Sequence, residues 1–192
     1  MKTNTSRLTS QPIVTKASPQ ALPKRYSLRR LTVTAMFMAM NVALSSFGVP
    51  VPGGHLYLND IVICTAAILL DPLSAFIVGG VGSFLGDFFF YPTPMFVSLA
   101  THGLQAVVIS LCVRHLLPGR KTLAAGIGVF LGAIIMVIGY SLGRAFLYST
   151  VEYAIMKLPF QILQAAVGAI VAMLLCFRFK LVNLFQKSQL QA

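Results

Sequence analysis

Long apolar runs, broken only by proline, glycine and a few charged residues, occupy this sequence from Leu31 to Phe179. The runs cover about 31–49, 58–70, 73–90, 95–117, 123–148 and 158–179. A transmembrane helix needs about 20 predominantly apolar residues. We expect the short second run to tilt or to cross the membrane only partly. The pattern predicts an all-α integral membrane bundle of six transmembrane helices, with five helices as the alternative.

The composition excludes most classes of soluble protein. Of 192 residues, 57% are hydrophobic and 10% are charged, whereas soluble domains carry roughly 25% charged residues. Four side chains are acidic, and the formal net charge is +11. A nucleic-acid-binding protein gathers its basic residues on a polar face, which most of this chain lacks. We therefore predict a lipid bilayer as the environment and no nucleic-acid partner.

The basic residues predict the orientation of the bundle. With six spans and a cytoplasmic N-terminus, all Lys and Arg residues fall on the cytoplasmic side except Arg144 and Lys157. Cytoplasmic segments carry the excess of Lys and Arg, so both termini are predicted to be cytoplasmic. The predicted organisation is a disordered basic cytoplasmic tail over residues 1–30, a six-helix transmembrane domain over 31–180 and a cytoplasmic C-terminal tail over 181–192.

Polar side chains recur within the apolar runs and fall toward the predicted outer side. Polar groups in hydrocarbon are costly, so each marks a candidate functional position. Spans two to six and the adjoining loops contribute Tyr57, Asn59, Asp60, Asp87, His102, Gln105, Tyr140, Arg144, Glu152, Gln161 and Gln164. A helix cap or an interhelical hydrogen bond explains each residue taken alone. Their clustering at one depth favours an outward-facing pocket for a small polar ligand.

Patterns typical of catalysis and metal binding are not found in the sequence. No serine or cysteine nucleophile lies near a base in a recognisable spacing, and the three histidines lack a metal-binding spacing. The phosphate-binding loop GxxxxGK[ST] is also missing. We predict no catalytic residue, cofactor or metal, and any ATP-driven step needs a partner. A small membrane enzyme acting on a lipid or quinone, or a structural membrane protein without a ligand, are the alternatives.

Rows of small residues mark helix faces that can approach a neighbouring helix closely. Glycines in spans three and five form two such rows, for which packing inside the bundle is expected. In span one, Ala35, Ala39 and Ala43 recur every four residues beside several methionines. Methionine adapts its shape to different neighbours, so this stripe fits internal packing and docking of a partner helix equally well.

Taken in order, several motifs resemble the substrate-binding subunit, or S component, of energy-coupling factor (ECF) vitamin transporters. These motifs are the alanine-spaced first span, GGHLYLND at 53–60, DPLSAFIVGGVGSFLGDFF at 71–89, GYSLGRAFLY at 139–148 and LPFQILQAAVGAIV at 158–171. The resemblance covers about residues 30–178. It implies a six-helix bundle in the bacterial plasma membrane that binds a vitamin from outside. It also implies partnership with a transmembrane coupling subunit and two cytoplasmic ATPases, with the S component toppling to deliver its ligand.

The resemblance also implies roles for particular residues. It assigns docking on the coupling subunit to Ala35 and Ala39, with Ala43 on the same stripe. It assigns ligand contacts to Tyr57, Asn59, His102, Gln105, Tyr140, Gln161 and Gln164. Four further residues, Asp60, Asp87, Arg144 and Glu152, are expected to be either ligand-binding or structural. Gln161 stands where the family pattern leads us to expect asparagine, and this departure could lengthen its reach into the pocket.

The members that the sequence resembles most are those linked to hydroxymethylpyrimidine or pyridoxine. These small, uncharged aromatic ligands suit a pocket of amides, histidine and tyrosine. Pantothenate and riboflavin are the alternatives. Pantothenate is an anion that would need a cation such as Arg144, and riboflavin would need a larger apolar slot.

Overall fold

The structure is a computed structural model that describes residues 28–52 and 54–190. Its elements in chain order are helix α1 (Leu28–Ser45), strands β1 (Val49–Val51) and β2 (Gly54–Leu56), and helices α2 (Asn59–Leu69), α3 (Pro72–Phe90), α4 (Met95–Leu116), α5 (Lys121–Tyr148), α6 (Val151–Arg178) and α7 (Leu181–Leu190). The predicted all-α membrane bundle is confirmed, with one small antiparallel hairpin added between α1 and α2. The predicted disordered tail lies outside the described residues except for its last three positions, which begin α1.

Four helices, α3 to α6, are long and apolar enough to cross a membrane. Helix α2 is apolar but has only 11 residues, which matches the short second run of the sequence. Helix α1 begins at Leu28 and carries Arg29 and Arg30 in its first turn. The structure therefore supports a multi-pass membrane protein, while the count of six spans and the cytoplasmic placement of both termini stay predictions.

The short connection between α2 and α3 is fixed by a helix cap. The Asp71 carboxylate accepts hydrogen bonds from the backbone N–H groups of Leu73 and Ser74, each at 3.2 Å, and proline follows as the first residue of α3. Asp71 also forms an ion pair with Arg30 of α1. Partial burial opposes ionisation of Asp71, but the hydrogen bonds from Ser74 and the charge of Arg30 outweigh it and hold the pKa of Asp71 below its ordinary value.

Helix α6 begins seven residues earlier than the start of the sixth apolar run. Thr150 caps it through a 3.5 Å hydrogen bond from the Tyr153 backbone N–H to its side-chain oxygen. The helix then continues through Pro159. Consequently Glu152 lies in the first helical turn, whereas the sequence suggested a loop, and Lys157 becomes a helical residue.

The predicted packing role of the two glycine rows is confirmed. A β-carbon at Gly132 of α5 would lie 2.8 Å from Ile109 of α4, and one at Gly139 would lie 2.6 Å from Thr101. Real β-carbons do not approach other atoms this closely, so α4 and α5 meet in a way that only glycine allows. The α3 row acts similarly, since a β-carbon at Gly79 would lie 2.7 Å from the His102 carbonyl oxygen.

Helix α2 occupies the centre of the bundle. Its residues from Val62 to Leu69 are all buried, and it contacts α1, α4 and α6. A β-carbon at Gly168 of α6 would lie 2.6 Å from the β-carbon of Asp60. This close crossing brings the first turn of α2 against the polar face of α6, where the candidate site lies.

Candidate ligand-binding site

A cavity of about 310 Å³ lies at the end of the bundle where α2, α4 and α6 begin and α3 and α5 end. We call this the pocket end. The basic residues Arg29, Arg114, Lys121 and Arg178 lie at the other end of the bundle. The hairpin and helices α2 to α6 all contribute walls to the cavity. Its lining combines apolar surface with several placed polar groups, which is typical of a site for a small molecule.

The structure brings most of the predicted polar residues together at this cavity. The predicted ligand contacts that line it are Tyr57, Asn59, His102, Tyr140, Gln161 and Gln164. Gln105 does not line it, because it is buried behind His102. Of the four residues expected to be either ligand-binding or structural, Asp87 and Arg144 line the cavity, whereas Asp60 and Glu152 do not. The ligand-binding roles themselves stay predictions.

Asp60 organises the floor of the cavity through a buried hydrogen-bond network. One carboxylate oxygen accepts from Gln105 Nε2 at 3.1 Å, and the other accepts from Gln164 Nε2 at 2.6 Å. Gln164 Oε1 in turn accepts from the backbone N–H of Tyr57 at 3.1 Å, and Gln105 Oε1 lies 2.7 Å from His102 Nδ1. Asp60 therefore positions residues from the hairpin exit, α4 and α6 without facing the cavity.

A second buried chain of polar groups links α3, α4 and α5. The Ser98 hydroxyl donates to the Asp87 carboxylate and is also hydrogen-bonded to the Tyr140 hydroxyl. The ring of Tyr140 meets the ring of His102 edge-on, with centroids 5.2 Å apart. These contacts fix the orientation of the Tyr140 and His102 rings against the cavity. A ligand ring would therefore meet a preorganised surface.

Two cationic side chains enter the cavity from α5 and α6. Arg144 Nη1 donates to Gln161 Oε1 at 3.2 Å, and the guanidinium carbon lies 5.6 Å from the centroid of the Tyr148 ring. Lys157 is only 3% exposed, and its ammonium group donates to the backbone carbonyl of His55 in the hairpin. Arg144 and Tyr148 are the first and last residues of a five-residue π-helical stretch at the end of α5.

Sequence reasoning missed several of the lining residues. These are Gly54, His55, Tyr91, Pro94, Met136, Tyr148, Ser149, Tyr153 and Lys157. Helical spacing could have found four of them. Met136 lies one turn before Tyr140, and Tyr148 lies one turn beyond Arg144. Lys157 and Tyr153 lie one and two turns before Gln161.

The hydroxyl group of Tyr57, in the segment between the hairpin and α2, stays protonated at physiological pH. Burial raises its pKa to about 12, with a further contribution from the negative charge of Asp87 and a smaller opposing effect from Arg144. Tyr57 can therefore donate as well as accept a hydrogen bond. Amides, phenols and two cations together suit the orientation of a polar ligand. Within the described residues, no group of three His, Cys, Asp or Glu side chains could hold a metal ion.

Helix α1 presents a separate surface on the side of the bundle. Its buried residues are the polar Thr34, Asn41 and Ser45, and Asn41 Nδ2 donates to the Val78 carbonyl of α3 at 2.7 Å. The predicted docking residues Ala35, Ala39 and Ala43 are all exposed, and Met36 and Met40 flank them. The alanine stripe therefore lies on the exposed side of α1, and its role in docking stays a prediction.

Comparison with known proteins finds a family that matches most of the chain and a relative that matches about half of it. The family described as ECF-type riboflavin transporter, S component, matches residues 25–181. A protein of Pyrococcus woesei, described as an uncharacterized protein in gap 3'region, is 34% identical over 104 residues. That alignment covers 53% of this chain and 68% of the relative. The family match spans all the elements that surround the cavity.

Proposed function

The chain belongs to the family of ECF-type riboflavin transporter S components, and from that premise we propose that it captures a small vitamin or vitamin precursor at the pocket end. Members of this family are membrane-embedded substrate-binding subunits of ECF transporters. The observation that carries the proposal is the cavity of about 310 Å³, to which five helices and the hairpin contribute polar side chains. In this proposal Tyr57, Asn59, His102, Tyr140, Gln161 and Gln164 contact the ligand, and Gln105 and Asp60 position them.

The distribution of charge supports an extracellular position for the pocket end. Arg144 and Lys157 are the two basic residues at this end among the described residues, and both line the cavity. The remaining described basic residues lie at the other end of the bundle. Since cytoplasmic segments carry the excess of Lys and Arg, we infer six spans, cytoplasmic termini and a pocket that opens to the outside.

The exposed alanine stripe of α1 supports docking on a transmembrane coupling subunit. Ala35, Ala39 and Ala43 leave a flat strip on which another helix can pack closely, and the neighbouring methionines can adapt to its shape. We infer that two cytoplasmic ATPases complete the complex and supply the energy. Toppling of the bundle on the coupling subunit would carry the pocket, with its ligand, toward the cytoplasm.

The identity of the vitamin is part of this proposal, and different features favour different candidates. The resemblance of the sequence favours a hydroxymethylpyrimidine- or pyridoxine-like ligand, and the amides, His102 and Tyr140 suit such a ring. Riboflavin is named in the description of the family. Pantothenate is favoured by the cations of the cavity, because its carboxylate could pair with Arg144.

Titration calorimetry of the purified full chain tests the proposal. Each of hydroxymethylpyrimidine, pyridoxine, riboflavin and pantothenate is titrated separately, and we expect saturable binding of at least one. Gln161→Leu should weaken that binding by about tenfold or more, because it removes a polar group from the cavity wall and the acceptor of Arg144. Gln186→Leu, the same exchange at an exposed position of α7, serves as the control and should bind normally. Absence of binding by all four compounds would overturn the proposal.

A further inference from the structure

Two cations converge beneath the hairpin of this cavity. A β-carbon placed on Gly54 would lie 3.8 Å from Lys157 Nζ and 4.0 Å from Arg144 Nη2. Both cationic nitrogens therefore lie within 4.0 Å of one point at the cavity wall. Lys157 is almost fully buried, and a buried ammonium group is costly unless an opposite charge compensates it.

No carboxylate of the described residues compensates these two cations. Among the described residues, the close contacts between basic and acidic side chains are Arg30 with Asp71, at the other end of the bundle, and His102 with Asp60. Each oxygen of the Asp60 carboxylate accepts from a glutamine, and Asp60 does not line the cavity. Asp87 lines the cavity but accepts from Ser98.

The partners that the two cations do have are neutral. Lys157 donates to the carbonyl oxygen of His55, and Arg144 donates to the amide oxygen of Gln161. The buried hydroxyl group of Tyr148 is a further donor, and it has no hydrogen-bond partner among the described residues. The ring of Tyr148 also lies against the Arg144 guanidinium. The corner between the hairpin, α5 and α6 is thus rich in donors and lacks a negative charge.

We propose that the ligand carries an anionic group, a carboxylate or a phosphate, which binds between Lys157 and Arg144 beneath the hairpin. This inference rests on the proposed function and narrows its substrate class. The rest of the ligand then lies toward Tyr140, His102 and Gln164. A neutral hydroxymethylpyrimidine or pyridoxine would leave both cations without a counter-charge, whereas a carboxylate or phosphate would accept charge-assisted hydrogen bonds from them.

Matched pairs of probes isolate the contribution of the anion. Pantothenate is compared with pantothenol, which replaces the carboxylate by a hydroxymethyl group, and riboflavin 5′-phosphate is compared with riboflavin. The affinity of the full chain for each compound is measured by titration calorimetry. In the pair that binds, we expect the anionic member to bind about 10- to 100-fold more tightly, as one charge-assisted hydrogen bond to a charged group implies. The pair that shows this preference distinguishes a carboxylate from a phosphate.

Variants of Lys157 test whether this cation contributes to the preference. Lys157→Met should reduce the ratio of the two affinities toward one, and Lys157→Arg should retain it. Lys187→Met removes a charge from an exposed position at the end of α7 and should leave the ratio unchanged. Thermal unfolding of each variant shows whether the bundle stays folded.

Each outcome separates this inference from the function on which it rests. If the neutral members bind as tightly as the anionic ones, the inference is overturned while the proposed function stands. The same holds if the anion preference survives in a folded Lys157→Met variant. If none of the four compounds binds, this inference is overturned, and the proposed function falls as well if hydroxymethylpyrimidine and pyridoxine also fail to bind.

Discussion

Replacing Asp60 by leucine tests whether this carboxylate holds the floor of the cavity. Asp60 is 1% exposed and accepts one hydrogen bond from Gln105 and one from Gln164. The two glutamines cannot simply turn their amides over, because the oxygen of each is already engaged with His102 or with the Tyr57 backbone. Leucine offers no acceptor, so both amide donors would be left buried and unpaired.

The expected cost follows from the two lost acceptors. An unpaired buried donor costs about 1–3 kcal/mol, so Asp60→Leu should lower the free energy of unfolding by about 2–6 kcal/mol. For a chain of this size, that corresponds to a fall in melting temperature on the order of 10 °C. Asp60→Asn keeps one acceptor and should cost roughly half as much.

Thermal unfolding of the purified chain in detergent, followed by circular dichroism, measures the effect. Glu152→Gln removes a carboxylate in the exposed first turn of α6 and is the matched control, which should unfold at nearly the same temperature as the native chain. If Asp60→Leu unfolds at the same temperature as this control, Asp60 does not organise the site and the network argument is refuted.

Three further experiments address docking, the α2–α3 connection and topology. Ala39→Trp should prevent assembly with the coupling and ATPase subunits in a pull-down, while ligand binding persists. The control Ala166→Trp, at an exposed position of α6, should assemble normally. Full assembly of Ala39→Trp would exclude docking through the alanine stripe. Because the folded-state pKa of Asp71 is lowered, the stability it contributes is complete above its unfolded value of about 4 and is lost as the pH falls toward the folded pKa. The melting temperature of Asp71→Asn should therefore depend less on pH below about 4 than that of the native chain, and equal slopes would contradict this linkage. An impermeant maleimide applied to intact cells should label Ser149→Cys but not Gly119→Cys, and the reverse result would invert the proposed topology.

Much of the bundle could be predicted from the sequence because proline, glycine and charge end its apolar runs. The α2–α3 connection is an example, since an aspartate before a proline both caps the next helix and stops the preceding one. The start of α6 could not be predicted this way. Lys157 and Pro159 look like loop residues in a hydropathy profile, whereas the Thr150 cap starts the helix before them.

The sequence predicts the depth of the candidate site and the helix faces that form it. It does not predict which polar residues line the cavity and which are buried behind them. His102 and Gln105 lie one turn apart, so their spacing places both on the same helix face and predicts that both contact the ligand. The structure places His102 at the cavity and Gln105 behind it, because Gln105 reaches Asp60 on α2. Such contacts between helices depend on tertiary packing, which the residue spacing within one helix does not reveal. Lys157 lies one turn before Gln161, so spacing could place it on the same face, but its contact with the His55 carbonyl about 100 residues earlier could not be predicted.

Mass spectrometry of the small molecules that co-purify with the full chain tests the central claim most directly. The account predicts a vitamin or vitamin precursor with an anionic group in preparations of the native chain and of Gln186→Leu, and its loss from Gln161→Leu. Native preparations that yield only lipid and detergent, or a compound that is retained equally in Gln161→Leu, would contradict the assignment of this cavity as the ligand-binding site.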